Sequence, residues 1–220
     1  YFLHRVEKDS LVYNMPQVVT VEGELEKGKL TEAFRKIKER HESFRTTIEV
    51  VESKPVQRIH ENKEVEMELT FRGCTEAEAG ERIKEFCRPF DLGQAPLMRA
   101  DLLTIETAGT TRQILSIDMH HIITDEASQI LLEREFKELY NGEELPRLRL
   151  RYKDYAAWQD SREQKALIKE QEKYWLEAFK GELPVLNLPT DYPRPVRQSF
   201  EGKTVGFVMT GKESRTLREL

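Results

Sequence analysis

Cysteine is scarce. Cys74 and Cys87 are the only two in 220 residues. They supply neither a disulfide framework nor a CxxC motif, and a reducing, cytoplasmic setting suits such a chain. Long apolar runs are missing as well. No stretch approaches the roughly 20 apolar residues of a bilayer span, so no membrane segment is expected. A basic excess is also lacking. The formal net charge is −5. Nucleic-acid binding needs a basic face to meet phosphates, so no nucleic-acid partner is expected. There is no repeat, no low-complexity tract and no signal peptide. The chain opens on Tyr1 instead of a start methionine, as expected of an excised fragment.

What is there suffices for one large domain or two small ones. Apolar residues follow two periods in alternation, which predicts an α/β chain. Residues 18–21 are a short expected strand. Leu30, Ala33, Phe34 and Ile37 form the apolar stripe of a helix ending near Arg40-His41, where cations suit the dipole. Phe44, Thr46, Ile48 and Val50 alternate as on a strand, setting Arg45, Thr47 and Glu49 on its other face. Further strands are expected at 56–59 and 65–71, and a helix at 76–87, stopped before Pro89. Residues 97–105 and 113–119 look like paired strands joined by an Ala108-Gly109 turn. After Gly142 the composition shifts. A helical region opens at 152–158, and 163–180 reads as a long charged helix with Tyr174, Trp175, Ala178 and Phe179 as its candidate buried face. Pro184, Pro189, Pro193 and Pro195 mark an extended linker, since proline fixes φ and donates no hydrogen bond. Residues 200–209 read as a strand and 212–220 as a helix.

Residues 119–125, Met-His-His-Ile-Ile-Thr-Asp, carry the densest chemistry. Histidine titrates near neutral pH, and a carboxylate close by can orient it, which is equipment for moving a proton. The stretch ends the 113–119 strand. From Glu126 the spacing of Leu132, Phe136, Leu139 and Tyr140 is helical, with Asn141-Gly142 as its stop. The motif therefore belongs on a strand-to-helix turn at the end of a sheet. If the strand continues, His121 shares a face with Leu115, Ile117 and Met119, and His120 shares one with Ser116 and Asp118. The two rings then diverge, and no Cys or third His stands at ligand spacing, so no metal is expected. Plainer readings compete with catalysis. One histidine can be packed and the other solvated, and Asp125 can be an ordinary helix N-cap.

Three more segments matter by their order. Arg40-His41-Glu42-Ser43-Phe44-Arg45-Thr46 joins a helix end to a strand. Tyr152-Lys153-Asp154-Tyr155-Ala156-Ala157-Trp158 opens the later helical region. Leu188-Pro-Thr-Asp-Tyr-Pro-Arg-Pro195 lies in the linker, followed by Gln198-Ser-Phe-Glu-Gly202. Taken singly, the first is a charged helix terminus and the second aromatic packing. Together, around the HH pair, they make the chain resemble the condensation domain of nonribosomal peptide synthetases. Residues 40–46 are similar to RHExLRT, 119–125 to MHHxISDG and 152–158 to YxDYAxW. The proline stretch is similar to the family's entry into its second lobe, and Tyr1-Phe2-Leu3 looks like the tail of its first motif. HHxxxD alone is shared with chloramphenicol acetyltransferase. The flanking segments single out the peptide-synthetase branch.

The resemblance implies chloramphenicol-acetyltransferase-like α/β lobes, each a mixed sheet flanked by helices, with the reaction in a tunnel between two of them. Residues 1–181 would be the N-terminal lobe, 182–198 the proline-rich linker and 199–220 the start of the second lobe. It implies amide formation between a donor acyl thioester and an acceptor aminoacyl thioester. Both ride on the 4′-phosphopantetheine of upstream and downstream peptidyl carrier domains, beside an adenylation domain, and the domain itself binds no cofactor. His121 would be the working histidine, taking the amine's proton or holding the amine. His120 would point away and support the loop. Asp125 would brace the turn through an arginine, either Arg45, which strand alternation favours, or Arg40. The fragment alone would be inactive. One residue departs from the pattern: the family's Gly after the aspartate is Glu126 here. Gly permits an unusual backbone angle or a close substrate. Glu suits a first helical turn, yet it sets a carboxylate beside the donor side of the tunnel. The alternative it raises is a non-catalytic, condensation-like module that docks carrier or tailoring domains.

Overall fold

A computed structural model describes all residues except 8, 108–109, 197–201, 204 and 220. The chain order is α1 (Phe2–Val6), β1 (Gln17–Val21), α2 (Lys27–Arg40), β2 (Thr46–Val51), β3 (Lys54–Ile59) and β4 (Glu68–Cys74). Then come α3 (Glu76–Phe86), β5 (Met98–Thr107), β6 (Thr110–Met119) and α4 (Glu126–Tyr140). Helices α5 (Tyr152–Gln159), α6 (Arg162–Ala178) and α7 (Gly211–Arg218) complete it. Tyr1–Ala178 and Phe179–Leu220 are two compact units.

The first unit is built on a mixed sheet of order β1-β6-β5-β4. Strands β1, β6 and β5 are antiparallel neighbours, whereas β4 runs parallel to β5. A parallel pair needs a crossover, and α3 supplies it. That helix starts cleanly: the Glu78 carboxylate accepts from the Thr75 amide and hydroxyl at its first turn, both at 2.8 Å.

Alternation along β5 and β6 gives the sheet two different faces. Met98, Ala100 and Leu102 join Leu115 and Met119 against Leu30, Ala33, Phe34 and Ile37 of α2 and Leu139 of α4. Phe34 meets Phe136 with ring centroids 5.1 Å apart, tying α2 to α4. Leu30 is fully buried, a burial that stabilises by about 1.5–3 kcal/mol over exposure. On the other face Leu103, Ile105 and Ile114 pack against Ala79 and Ile83 of α3. Toward the His120 end this face turns polar and stays buried: Arg99, Asp101, Ser116 and Asp118. Arg72 grips Asp101 with two bonds of 3.0 and 2.8 Å. Asn14 donates to Asp118 at 2.7 Å. Arg99 lies 3.7 Å from the Phe90 ring centroid and 3.5 Å from Asp118. Burial pushes the Asp118 carboxyl up and the Arg99 guanidinium down, against their mutual attraction.

Strands β2 and β3 form a separate hairpin. Its turn residues Glu52 and Ser53 have φ of 49° and 65°, the left-handed backbone that two-residue hairpin loops require. The Ile48 amide donates to the Leu92 carbonyl at 2.8 Å and docks the hairpin.

Several expectations are corrected. Phe44 and Arg45 precede β2, in a 3₁₀ turn over Glu42–Arg45, so strand alternation does not orient Arg45. Strand β4 begins at Glu68, three residues later than expected. The expected buried face of α6 is open, with Tyr174, Trp175, Ala178 and Phe179 all exposed. A stripe shows which side of a helix is apolar, not what covers it. The strand expected at 200–209 is not formed among the described residues there. The Ala108-Gly109 turn lies outside the described residues. No described helix is long and apolar enough to cross a membrane.

Candidate active site

Strand β6 stops at Met119, and the motif turns away from the sheet. His120 makes a single bridge with Asn14. Its amide donates to the Leu97 carbonyl at 3.0 Å, and the His121 amide donates to the Tyr13 carbonyl at 2.7 Å. The Ile123 amide returns to the His120 carbonyl at 3.1 Å and closes the turn. Asp125 then caps α4, accepting from the Ser128 amide at 2.8 Å and hydroxyl at 2.6 Å. Those bonds hold the Asp125 carboxyl below the usual carboxylate range.

The two histidines part here. His120 is buried against His4, Tyr13 and Phe90. Its Nδ1 accepts from the Ile122 amide at 3.0 Å, which puts the ring proton on Nε2. Burial pushes its pKa down to about 4, with His4 adding to the effect. His121 is exposed and has no side-chain hydrogen bond among the described residues. It leaves the strand before alternation reaches it, so it does not share the sheet face of Leu115 and Met119.

His121 lines a cavity of about 710 Å³, together with Asp125, Thr124 and Ser128 of its own turn. The opposite walls are His41, Ser43 and Phe44, then Ile48 and Gln57 of the hairpin, and Tyr152 at the start of α5. Residues from all three motif segments, far apart in sequence, thus meet at one hollow. Glu126 is exposed as the first residue of α4 and is not part of the lining.

Two buried carboxylates tie these walls. Glu135 of α4 accepts from His41 Nε2 at 2.6 Å and from Arg40 Nε at 3.0 Å. Glu42 accepts from Arg151 at 2.6 Å, Lys153 at 3.0 Å and Arg45 at 3.3 Å. Burial raises the pKa of both carboxyls, but hydrogen bonds from Lys153 and Arg151 to Glu42, and from His41 and Arg40 to Glu135, outweigh it and hold both low. Arg40 Nη1 also donates to the Pro146 carbonyl at 2.6 Å. Arg45 also donates to the His60 carbonyl. The expected ion pair of Asp125 with Arg45 or Arg40 is therefore not formed among the described residues. Sequence reasoning missed Glu135, although a signal exists: it falls on the apolar stripe Leu132, Phe136, Leu139, where a carboxylate must find a partner.

A mixed sheet that ends in a two-histidine turn beside a cavity fits the chloramphenicol-acetyltransferase-like lobe that the sequence resemblance implies. The family model described as "Condensation domain" matches residues 1–220, and the chain belongs to that family. It is 46% identical over 201 residues to gramicidin S synthase 2 of Aneurinibacillus migulanus, covering 91% of this chain and 4% of the synthase. The chain thus spans a small part of the relatives it matches. Among solved structures it is similar to the X-domain in its complex with OxyB from teicoplanin biosynthesis. That likeness has a TM-score of 0.71 and 27% identity, over 86% of this chain and 43% of that one. The epimerization domain from the third module of tyrocidine synthetase B shares the fold, with a TM-score of 0.77 and 19% identity over 99% of this chain and 51% of that one.

Proposed function

We propose that this chain is the histidine-bearing part of a peptide-bond-forming condensation domain, acting on two thioesters delivered by carrier domains. The observation that carries this is the exposed His121 on the wall of the cavity where the three motif segments meet. The amine of the acceptor aminoacyl group attacks the donor carbonyl carbon. His121 accepts a proton from the attacking nitrogen as the new C–N bond forms. The C–S bond breaks, and the departing thiolate takes up a proton, leaving an amide and a free arm. A thioester is already activated, so holding the reactants in line removes several kcal/mol of barrier. Proton acceptance adds about 10²–10⁴-fold. His120 supports the turn from below, and Asp125 sets the start of α4 as its cap.

The residues 182–198 linker and the 199–220 start of a second lobe belong to the same reading, as do an adjacent adenylation domain and a cytoplasmic setting. The 220-residue chain alone is expected to be inactive, because a tunnel between lobes needs its second wall. The test uses the full-length protein with loaded donor and acceptor carriers, and follows dipeptide formation. His121→Ala should lower the rate by about 10²–10⁴-fold. Full activity in that variant would remove His121 from the chemistry.

A second reading has its own support. The similarity to an X-domain solved in complex with OxyB, and Glu126 in place of the family's glycine, favour a docking module without catalysis. Dipeptide made only after Glu126→Gly would favour that reading.

A further inference from the structure

The segment leading into α5 is unusually basic for an acidic chain. Arg147, Arg149, Arg151 and Lys153 alternate with Leu148, Leu150 and Tyr152, while the whole chain carries a net charge of −5. All four cations are exposed, whereas Leu145 and Leu148 are half-buried and Leu145 packs against the core. Arg147 and Arg149 form no ion pair or side-chain hydrogen bond among the described residues. The carboxylates nearby do not cancel the strip. Glu42 is shared by Arg151, Lys153 and Arg45. Asp154 is turned back to accept from the Arg151 amide at 2.8 Å. Glu143 and Glu144 precede the strip in sequence.

Its position is fixed relative to the cavity. Arg40 holds the Pro146 carbonyl at one end, and Glu42 holds Arg151 and Lys153 at the other. Both anchors belong to the 40–46 segment, whose His41, Ser43 and Phe44 line the cavity. Tyr152, inside the strip, lines it too. Exposed guanidinium groups on a strip that reaches the hollow at Tyr152 suit a ligand with an anionic end and a neutral remainder, since the hollow is mostly apolar and its one carboxylate, Asp125, is engaged by Ser128. Guanidinium favours phosphate, since its fork of donors matches phosphate oxygens.

We propose that the strip Arg147–Arg149–Arg151–Lys153 binds the phosphodiester of a phosphopantetheine arm while the arm's thioester end lies in the cavity. This rests on the carrier-borne reading above. The phosphate lies at the end of the arm remote from the thioester, so it stays at the rim. Arg147 and Arg149 supply the free donors. Arg151 and Lys153, already neutralised in part by Glu42, fix the strip.

The test measures equilibrium binding of 4′-phosphopantetheine and of pantetheine to the full-length protein with its carriers unprimed. The unmodified protein should prefer the phosphorylated compound by about tenfold, one charge-assisted contact. The preference should shrink with added salt, and inorganic phosphate should compete. In the double variant Arg147→Gln, Arg149→Gln the preference should disappear. Arg82→Gln on α3 should leave it intact, separating the strip from general surface charge. An unchanged preference in the double variant overturns the proposal. So does a variant that loses affinity for an unprimed carrier protein while binding phosphopantetheine as before, since the strip would then serve a protein surface. Dipeptide formation is assayed separately. A lost preference alongside absent amide synthesis would leave the phosphate site standing and sink only the condensation reading.

Discussion

His120 should make the motif turn acid-sensitive. Its ring is buried, and burial holds its pKa at about 4, against an ordinary 6.5. A depressed value in the folded state means that the unfolded chain takes up the proton first. Between pH 6.5 and about 4 the unfolded state therefore carries more protons, and stability falls as pH falls through that window. At roughly 1.4 kcal/mol per pH unit the full effect is about 3 kcal/mol. Above pH 6.5 the neutral ring costs nothing, and below pH 4 the loss is complete. The assay is amide hydrogen exchange across residues 113–125 in the full-length protein, corrected for intrinsic rates. Opening of this segment should become about 100-fold more frequent over the window. His120→Asn keeps an oxygen able to accept from the Ile122 amide but removes the titration. Losing the ring contacts lowers stability at every pH, so the slope is the readout and the level is not. An Asn variant with the same pH slope as the unmodified protein would refute the assignment.

Glu135→Ala strips the partner from Arg40 and His41, whose side chains are mostly buried, and should loosen α4 against α2 by about 3 kcal/mol. Glu135→Gln should cost less, and exchange rates along α4 would report both. Because the Glu135 carboxyl is held low, its contribution is present above its ordinary value of 4.5 and is lost as pH falls below that. Asp125→Ala removes the cap of α4 and should speed exchange at the Ser128 amide several-fold, while Asp125→Asn keeps most of it. Equal exchange in the two Asp125 variants would mean that the cap does not hold the turn.

Much of the fold was legible because burial imposes a period. Leu30, Ala33, Phe34 and Ile37 read as a helix stripe and form one. The β5–β6 pairing followed from two alternating runs a short turn apart. Reading failed where periodicity was extrapolated past an element. Phe44 and Thr46 keep the two-residue rhythm of β2, yet Phe44 sits in a turn closed by its amide on the His41 carbonyl. His121 likewise continues the rhythm of β6 in sequence while its backbone has left the ladder for the Tyr13 carbonyl. The parallel pairing of β4 with β5 depends on the α3 crossover, and no local signal in either strand encodes it. The hollow was legible only as three segments in order. Which side chains close it was not, because that depends on long-range pairs such as His41 with Glu135.

The placement of the arginines follows from relative cost. A charge left alone in the interior costs several kcal/mol, whereas an exposed ion pair returns about 0–1 kcal/mol. Asp125 is exposed and already satisfied by Ser128, so an arginine gains little there. Glu42 and Glu135 are buried, and each would be costly without cations. Arg40 and Arg45 therefore belong to the acids of the interior, 95 and 3 residues away in sequence. The same logic explains why residues 40–46 and 151–153 act as a unit. Glu42 draws Arg151 and Lys153 onto the segment whose next residues line the cavity, so the motif that looks like a charged helix end is a fastening for the wall facing His121.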